Sequence, residues 1–92
     1  MKYIISYDIS SDRIRSKAAK VLEQYGIRIQ YSMFECSLTK KELVELKQKL
    51  EKLINHKDSS IYFFPLCDSC YNKVIFIGAE YLIKRLSFID VE

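Results

Sequence analysis

Asp8 closes a run of β-branched and aromatic residues, KYIISY, and Arg13, Arg15, Lys17, Lys20 and Arg28 follow it. A carboxylate can hold a hard divalent cation, and guanidinium and ammonium groups bind phosphate oxygens. Together these residue types suit phosphodiester chemistry on a polyanion. One carboxylate is not a metal cage. Mg²⁺, however, is commonly held by one or two carboxylates, with phosphates and water completing its shell. Two copies of Asp8 meeting in a dimer would supply the pair, with Mg²⁺ or Mn²⁺ shared between them. The competing reading of Asp8 is an ordinary strand end, where Asp favours a turn. Taken alone, the basic stripe Arg13/Lys17/Lys20 reads as a solvated helix face.

The charge distribution bears on that choice. Net charge is +3, and residues 1–34 hold six Lys/Arg against three Asp/Glu, which is +3 for the segment that contains Asp8. A local basic excess points to an anionic partner, nucleic acid being the commonest. With 92 residues the chain makes one small domain, and its 49% hydrophobic content can fill a core. Residues 1–78 read as that domain and residues 79–92 as a dimerisation tail. No run of about 18 apolar residues suggests a membrane span. MKYIISYD turns acidic too soon for a signal peptide, so a cytoplasmic protein is expected, with Cys36, Cys67 and Cys70 as free thiols.

These side chains need elements to position them. Lys2–Ile9 alternates as a strand, with faces Tyr3/Ile5/Tyr7 and Ile4/Ser6/Asp8. Ser10 or Ser11 can cap the helix that follows, which carries Ile14, Ala18, Val21, Leu22 and Tyr25 on one face. Gly26 is the expected helix stop. Ile27–Leu38 reads as one long strand that puts Arg28 and Phe34 on the same face. Thr39 to Glu42 forms a capping box. It opens a helix with Leu43, Leu46, Leu50, Leu53 and Ile54 on one stripe, ending near Asn55-His56. Ser60–Leu66 and Lys73–Ile77 are further strands, and SFIDV in the tail is a last one. The expected class is α+β: a ferredoxin-like β-α-β-β-α-β domain with a four-stranded antiparallel sheet and two helices on one face. The other face keeps apolar side chains, and a second copy would cover it.

Other constellations carry less. Tyr3, Tyr7, Tyr62 and Phe64 could stack RNA bases, but the Gly-aromatic signature of RNA-recognition motifs is absent, and packing is the preferred reading. CDSC, Cys67 to Cys70, is a C-x-x-C without further ligands at zinc spacing. A redox pair needs a strand-to-helix context that the pattern does not suggest, so a structural turn is expected. His56 has no catalytic companions.

The quoted residues resemble one family. Tyr7-Asp8-Ile9, then Asp12, Arg15 and Lys17, then Tyr25-Gly26, then Arg28, Gln30, Ser32 and Phe34, are similar to the opening half of the small CRISPR-associated adaptation nucleases, the second of the Cas proteins. FFPLCDSC with a strand and Gly78 is similar to later parts of its members. The resemblance implies a ferredoxin-like homodimer whose C-terminal strand adds to the partner's sheet. It implies a magnesium-dependent endonuclease on single-stranded RNA or double-stranded DNA, with one metal-binding Asp8 from each subunit. Tyr7, Arg15, Lys17, Arg28 and Phe34 match positions tied to activity in some members. It also implies a bridge between dimers of the CRISPR-associated integrase, the first Cas protein. A non-catalytic DNA-binding scaffold in that complex is the alternative function.

Overall fold

The alternation in the first strand decides which residues meet the helices. In the computed structural model, which describes residues 1–55, 57–78 and 90–91, β1 (Lys2–Ile9) buries Ile5, Tyr7 and Ile9 and leaves Asp8 exposed. Helix α1 (Asp12–Glu23) starts where Ser11 accepts a hydrogen bond from the Ile14 N–H at 3.2 Å. Helix α2 (Lys40–Leu53) opens on the expected box. Thr39 Oγ1 accepts from Glu42 N–H at 3.1 Å and Glu42 Oε1 from Thr39 N–H at 2.9 Å. Both helices pack on one face of the sheet.

The long strand expected over Ile27–Leu38 is two strands. β2 (Gly26–Gln30) and β3 (Met33–Ser37) form a hairpin that reverses at Tyr31-Ser32, with a register shift between Arg28 and Gln30. Alternation is blind to this break, because the folded hairpin also places Arg28 opposite Phe34 on one face. Tyr31-Ser32 also lacks the Gly, Asn or Asp that usually marks a two-residue turn. The four-stranded antiparallel sheet runs β2-β3-β1-β4, with β4 being Ser59–Leu66. The hairpin thus supplies the β-β of the β-α-β-β-α-β order. The strand expected at Lys73–Ile77 shrinks to β5 (Ile75–Phe76) and stands outside that sheet. It pairs in parallel with β6 (Asp90–Val91) of the same chain. Residues 87–89 of the SFIDV tail and His56 lie outside the described residues. Between β4 and β5 a one-turn helix, α3 (Asp68–Tyr71), forms over CDSC.

The core lies between the sheet and the helices. Phe34, Ile5, Leu22, Leu46, Leu50 and Cys36 are its largest fully buried side chains. Each large apolar one contributes about 1.5–3 kcal/mol by leaving water. Gly26 is required for a different reason than a helix stop. Its φ is not positive. Instead β2 runs so close to β3 that a Cβ there would collide with the Glu35 carbonyl and lie 2.6 Å from Cys36 Sγ.

Candidate functional site

A strand sends neighbouring side chains to opposite sides, so Tyr7 and Asp8 part at the end of β1. Tyr7 turns under the helices and is only 5% exposed. Its ring lies 6.3 Å from that of Phe34, and its hydroxyl donates to the Tyr31 carbonyl at 3.4 Å. The Arg28 guanidinium sits 5.3 Å over the buried Phe34 ring, a cation–π arrangement. Arg28 Nε is buried with no hydrogen-bond partner among the described residues. Arg15 reaches back from the first turn of α1. One of its nitrogens donates to the Ile9 carbonyl at 2.6 Å and another pairs with Asp12.

These residues enclose a pocket of about 280 Å³ lined by Tyr7, Arg15, Ser16, Ala19, Arg28, Tyr31 and Ser32. Two guanidinium-bearing side chains and hydroxyl groups line it, and no carboxylate does. Such a lining suits a phosphate oxygen. Burial pushes the Tyr7 phenol above its ordinary pKa, although Arg28 and Arg15 pull it the other way. Tyr7 therefore stays protonated at neutral pH and acts as a hydrogen-bond donor. A larger groove of about 440 Å³ between α2 and β4 holds none of the predicted site residues.

Asp8 faces the other side of the sheet, opposite Ser60 of β4. That open face carries Ile4, Ser6 and Met33, and two aromatic side chains, Tyr62 and Phe64. Their rings stack at 6.0 Å with 6° between planes and are 56% and 49% exposed. Of the four aromatics considered as base platforms, Tyr3 and Tyr7 pack into or against the core, and Tyr62 and Phe64 lie open. Arg13, Lys17 and Lys20 are exposed on α1.

The structure thus gathers Tyr7, Arg15, Arg28 and Phe34 on the helix side, strings Arg13, Lys17 and Lys20 along α1, and sets Asp8 across the sheet. Among the described residues no three His, Cys, Asp or Glu side chains come together. Asp8 alone is one exposed carboxylate, whereas a Mg²⁺ site draws on one or two carboxylates together with phosphates and water.

Sequence reasoning missed Ser16, Tyr31 and Ser32 as pocket residues. The missing signal was the Tyr31-Ser32 reversal, which folds back over Tyr7. It also missed Glu35, which is 8% exposed and accepts a hydrogen bond from the Tyr71 hydroxyl at 3.1 Å. Lys2 lies 4.8 Å from the centre of the Tyr71 ring. These contacts fasten α3 to the open side of the sheet.

Residues 1–74 match the family described as CRISPR associated protein Cas2. The chain belongs to the Cas2 family. Among Cas2 relatives, a CRISPR-associated endoribonuclease Cas2 of Synechocystis sp. is 43% identical over 82 residues, covering 89% of each chain. One from Chloroflexus aurantiacus is 44% identical over 79 residues, covering 85% of each. The crystal structure of Streptococcus pyogenes Cas2 superposes with a TM-score of 0.78 at 32% identity, covering 85% of this chain and 100% of that one. A chain of a partial Cas6-RT-Cas1–Cas2 complex superposes with a TM-score of 0.71 at 30% identity, covering 79% of this chain and 80% of that one. The Cas2 fold is therefore the frame of the site: the hairpin and α1 meet at the end of β1, and Asp8 sits where the helices leave the sheet bare. No helix among the described residues is long and apolar enough to cross a membrane.

Proposed function

We propose that this Cas2 family member is one subunit of a homodimeric, metal-dependent endoribonuclease that takes part in CRISPR adaptation. The observation that carries this reading is the pairing at the end of β1 of an exposed carboxylate on one face with a cationic, carboxylate-free pocket on the other. Arg15 and Arg28 hold backbone phosphate, Tyr7 turns its hydroxyl proton from the Tyr31 carbonyl to the phosphate, and Arg13, Lys17 and Lys20 extend the basic track along α1. Phe34 supports Arg28 from below. Two Asp8 carboxylates, one from each subunit, would hold Mg²⁺ or Mn²⁺. When bound, the metal would neutralise charge at a phosphate on the Asp8 side of the sheet and activate water. The half-exposed pair Tyr62 and Phe64, with Ile4 and Met33, supplies the apolar surface on which the two sheets meet. RNA is the favoured substrate because the similar relatives are named endoribonucleases.

A second reading has its own support. A solved chain similar to this one belongs to a complex with Cas1. In that role the protein is a non-catalytic dimer that bridges integrase subunits and clamps DNA.

A cleavage assay separates the two. Wild type and Asp8→Asn are incubated with single-stranded RNA and with double-stranded DNA, with Mg²⁺ and with chelator. The enzyme reading expects metal-dependent cleavage of RNA by wild type and background cleavage by Asp8→Asn, which still dimerises and still binds nucleic acid. Added Mg²⁺ relieves the repulsion between two facing carboxylates and raises the melting temperature of wild type only. Cleavage that survives in Asp8→Asn removes Asp8 from the reaction. Wild type that cuts nothing yet assembles with integrase and DNA leaves the scaffold.

A further inference from the structure

The CDSC segment plays no part in the function proposed above. The sequence suggested a structural turn without a strand-to-helix setting. The fold supplies that setting: β4 ends at Leu66, Cys67 follows directly, and α3 begins at Asp68. We infer that Cys67 and Cys70 form a thiol–disulfide exchange site, in which Cys67 is the attacking sulfur and Cys70 the resolving one, and whose substrates are low-molecular-weight disulfides.

Three observations support this. Both cysteines are exposed, whereas Cys36 is fully buried. The chain folds the two residues toward each other, since Cys67 Sγ accepts the Cys70 N–H at 3.4 Å. The turn that carries them is held to the sheet through Tyr71 and Glu35, so the pair does not depend on a mobile loop for its approach.

The two thiols are also unlike each other. The Cys70 backbone N–H, helped by the Cys70 side chain and the Ser69 N–H, pulls the Cys67 thiol below its ordinary pKa, and Asp68 opposes this. Cys67 in turn pushes the Cys70 thiol up. Burial, with Glu35 adding to it, pushes Cys36 up to about 12 and removes it from exchange. A lower thiol that attacks beside a higher one that resolves is the division of labour that exchange needs.

The step balances with an external disulfide. The Cys67 thiolate attacks one sulfur of glutathione disulfide, a mixed disulfide forms and one glutathione leaves. The Cys70 sulfur then attacks Cys67 Sγ and expels the second glutathione. Two protein thiols are oxidised, one disulfide is reduced, and the two thiol protons end on the two glutathione molecules. This chemistry is independent of nucleic-acid cleavage and stands whether or not the chain is a nuclease.

The test uses the full chain in buffers of reduced and oxidised glutathione, quenched with iodoacetamide and read by intact mass and peptide mapping. Wild type should lose two hydrogens, carry the new bond between Cys67 and Cys70, and leave Cys36 to be alkylated only after unfolding. Cys70→Ser should accumulate a glutathione adduct on Cys67. Cys67→Ser should acquire one on Cys70 several-fold more slowly. Both substitutions are at exposed positions, and circular dichroism checks their fold. The inference is overturned by wild type that forms no Cys67–Cys70 bond under excess oxidised glutathione. Equal adduct rates in the two variants overturn it as well. The wild-type mapping decides the matter even if a variant fails to fold.

Discussion

The two faces of the sheet are built from alternate residues of the same strands and behave as different materials. The helix side carries Ile5, Phe34 and Cys36 at 0% exposure, closed over by Leu22, Leu46 and Leu50. The open side carries Ile4, Ser6, Asp8, Tyr62 and Phe64, a mixture of apolar, hydroxyl and charged groups in contact with solvent. Burial on the first face stabilises the chain by itself. The second face is left for something else to cover, and Glu35, the one buried carboxylate among the described residues, is bound to Tyr71. The lesson is that fold and proposed function divide by strand parity: odd positions of β1 hold the chain together, and even position 8 carries the carboxylate.

The largest test of that division compares two phenylalanines. Phe34→Ala should cost about 3–5 kcal/mol in urea unfolding, because it removes the largest fully buried side chain of the core and also the floor beneath Arg28. Phe64→Ala should retain native circular dichroism and instead weaken self-association, read by sedimentation at micromolar concentration. Equal losses of chain stability from both would erase the distinction between the faces.

Cys36 sharpens the comparison through pH. Its thiol is pushed from an ordinary 9.0 to about 12, first by burial and then by Glu35. The native state therefore keeps a proton that the unfolded chain gives up. The stabilisation is complete below pH 9 and is lost as pH rises from 9 to about 12. The loss is on the order of 2–4 kcal/mol. Unfolding of wild type should steepen above pH 9, and that extra slope should shrink in Cys36→Ala.

Tyr71→Phe probes the open side with a single atom. It leaves the Glu35 carboxylate buried without its hydroxyl donor, at a cost of about 1–3 kcal/mol in denaturant unfolding. Glu35→Gln in the same background should recover part of that loss, since an amide is cheaper to bury than a carboxylate. Failure of the second change to help would mean that water already replaces the hydroxyl.

The smallest effect concerns Arg28. Binding to nucleic acid should weaken with salt, and Arg28→Ala should reduce the slope of log affinity against log salt by roughly one. The loss of fold stability should be modest, because Arg28 is only partly buried and its buried Nε has no hydrogen-bond partner among the described residues to lose. An unchanged slope would take Arg28 out of contact with phosphate.

Much of this molecule was legible in the chain. Residue types and spacing were enough for β1, for the Thr39 cap, for both helix stripes, and for the motif Tyr7-Asp8-Ile9 through Phe34, because capping, alternation and helical period are local physics; of the two serines offered as the first cap, the structure uses Ser11. The order β-α-β-β-α-β was also within reach. The tertiary structure decided the rest. It broke Ile27–Leu38 at Tyr31-Ser32, a reversal that alternation cannot register and that lacks the usual turn residues. It moved the fourth sheet position from Lys73–Ile77 to Ser59–Leu66, because a strand's place depends on its pairing with β1. It put Arg28 over Phe34 beside Tyr7 and Arg15, and Asp8 on the far side, since those neighbours are distant in sequence. It also gave Gly26 its purpose, the closeness of β2 to β3, and gave CDSC a strand behind it and a helical turn ahead. Short-range rules act within a few residues of the chain; contacts between strands, and the sites built on them, exist only once the sheet is assembled.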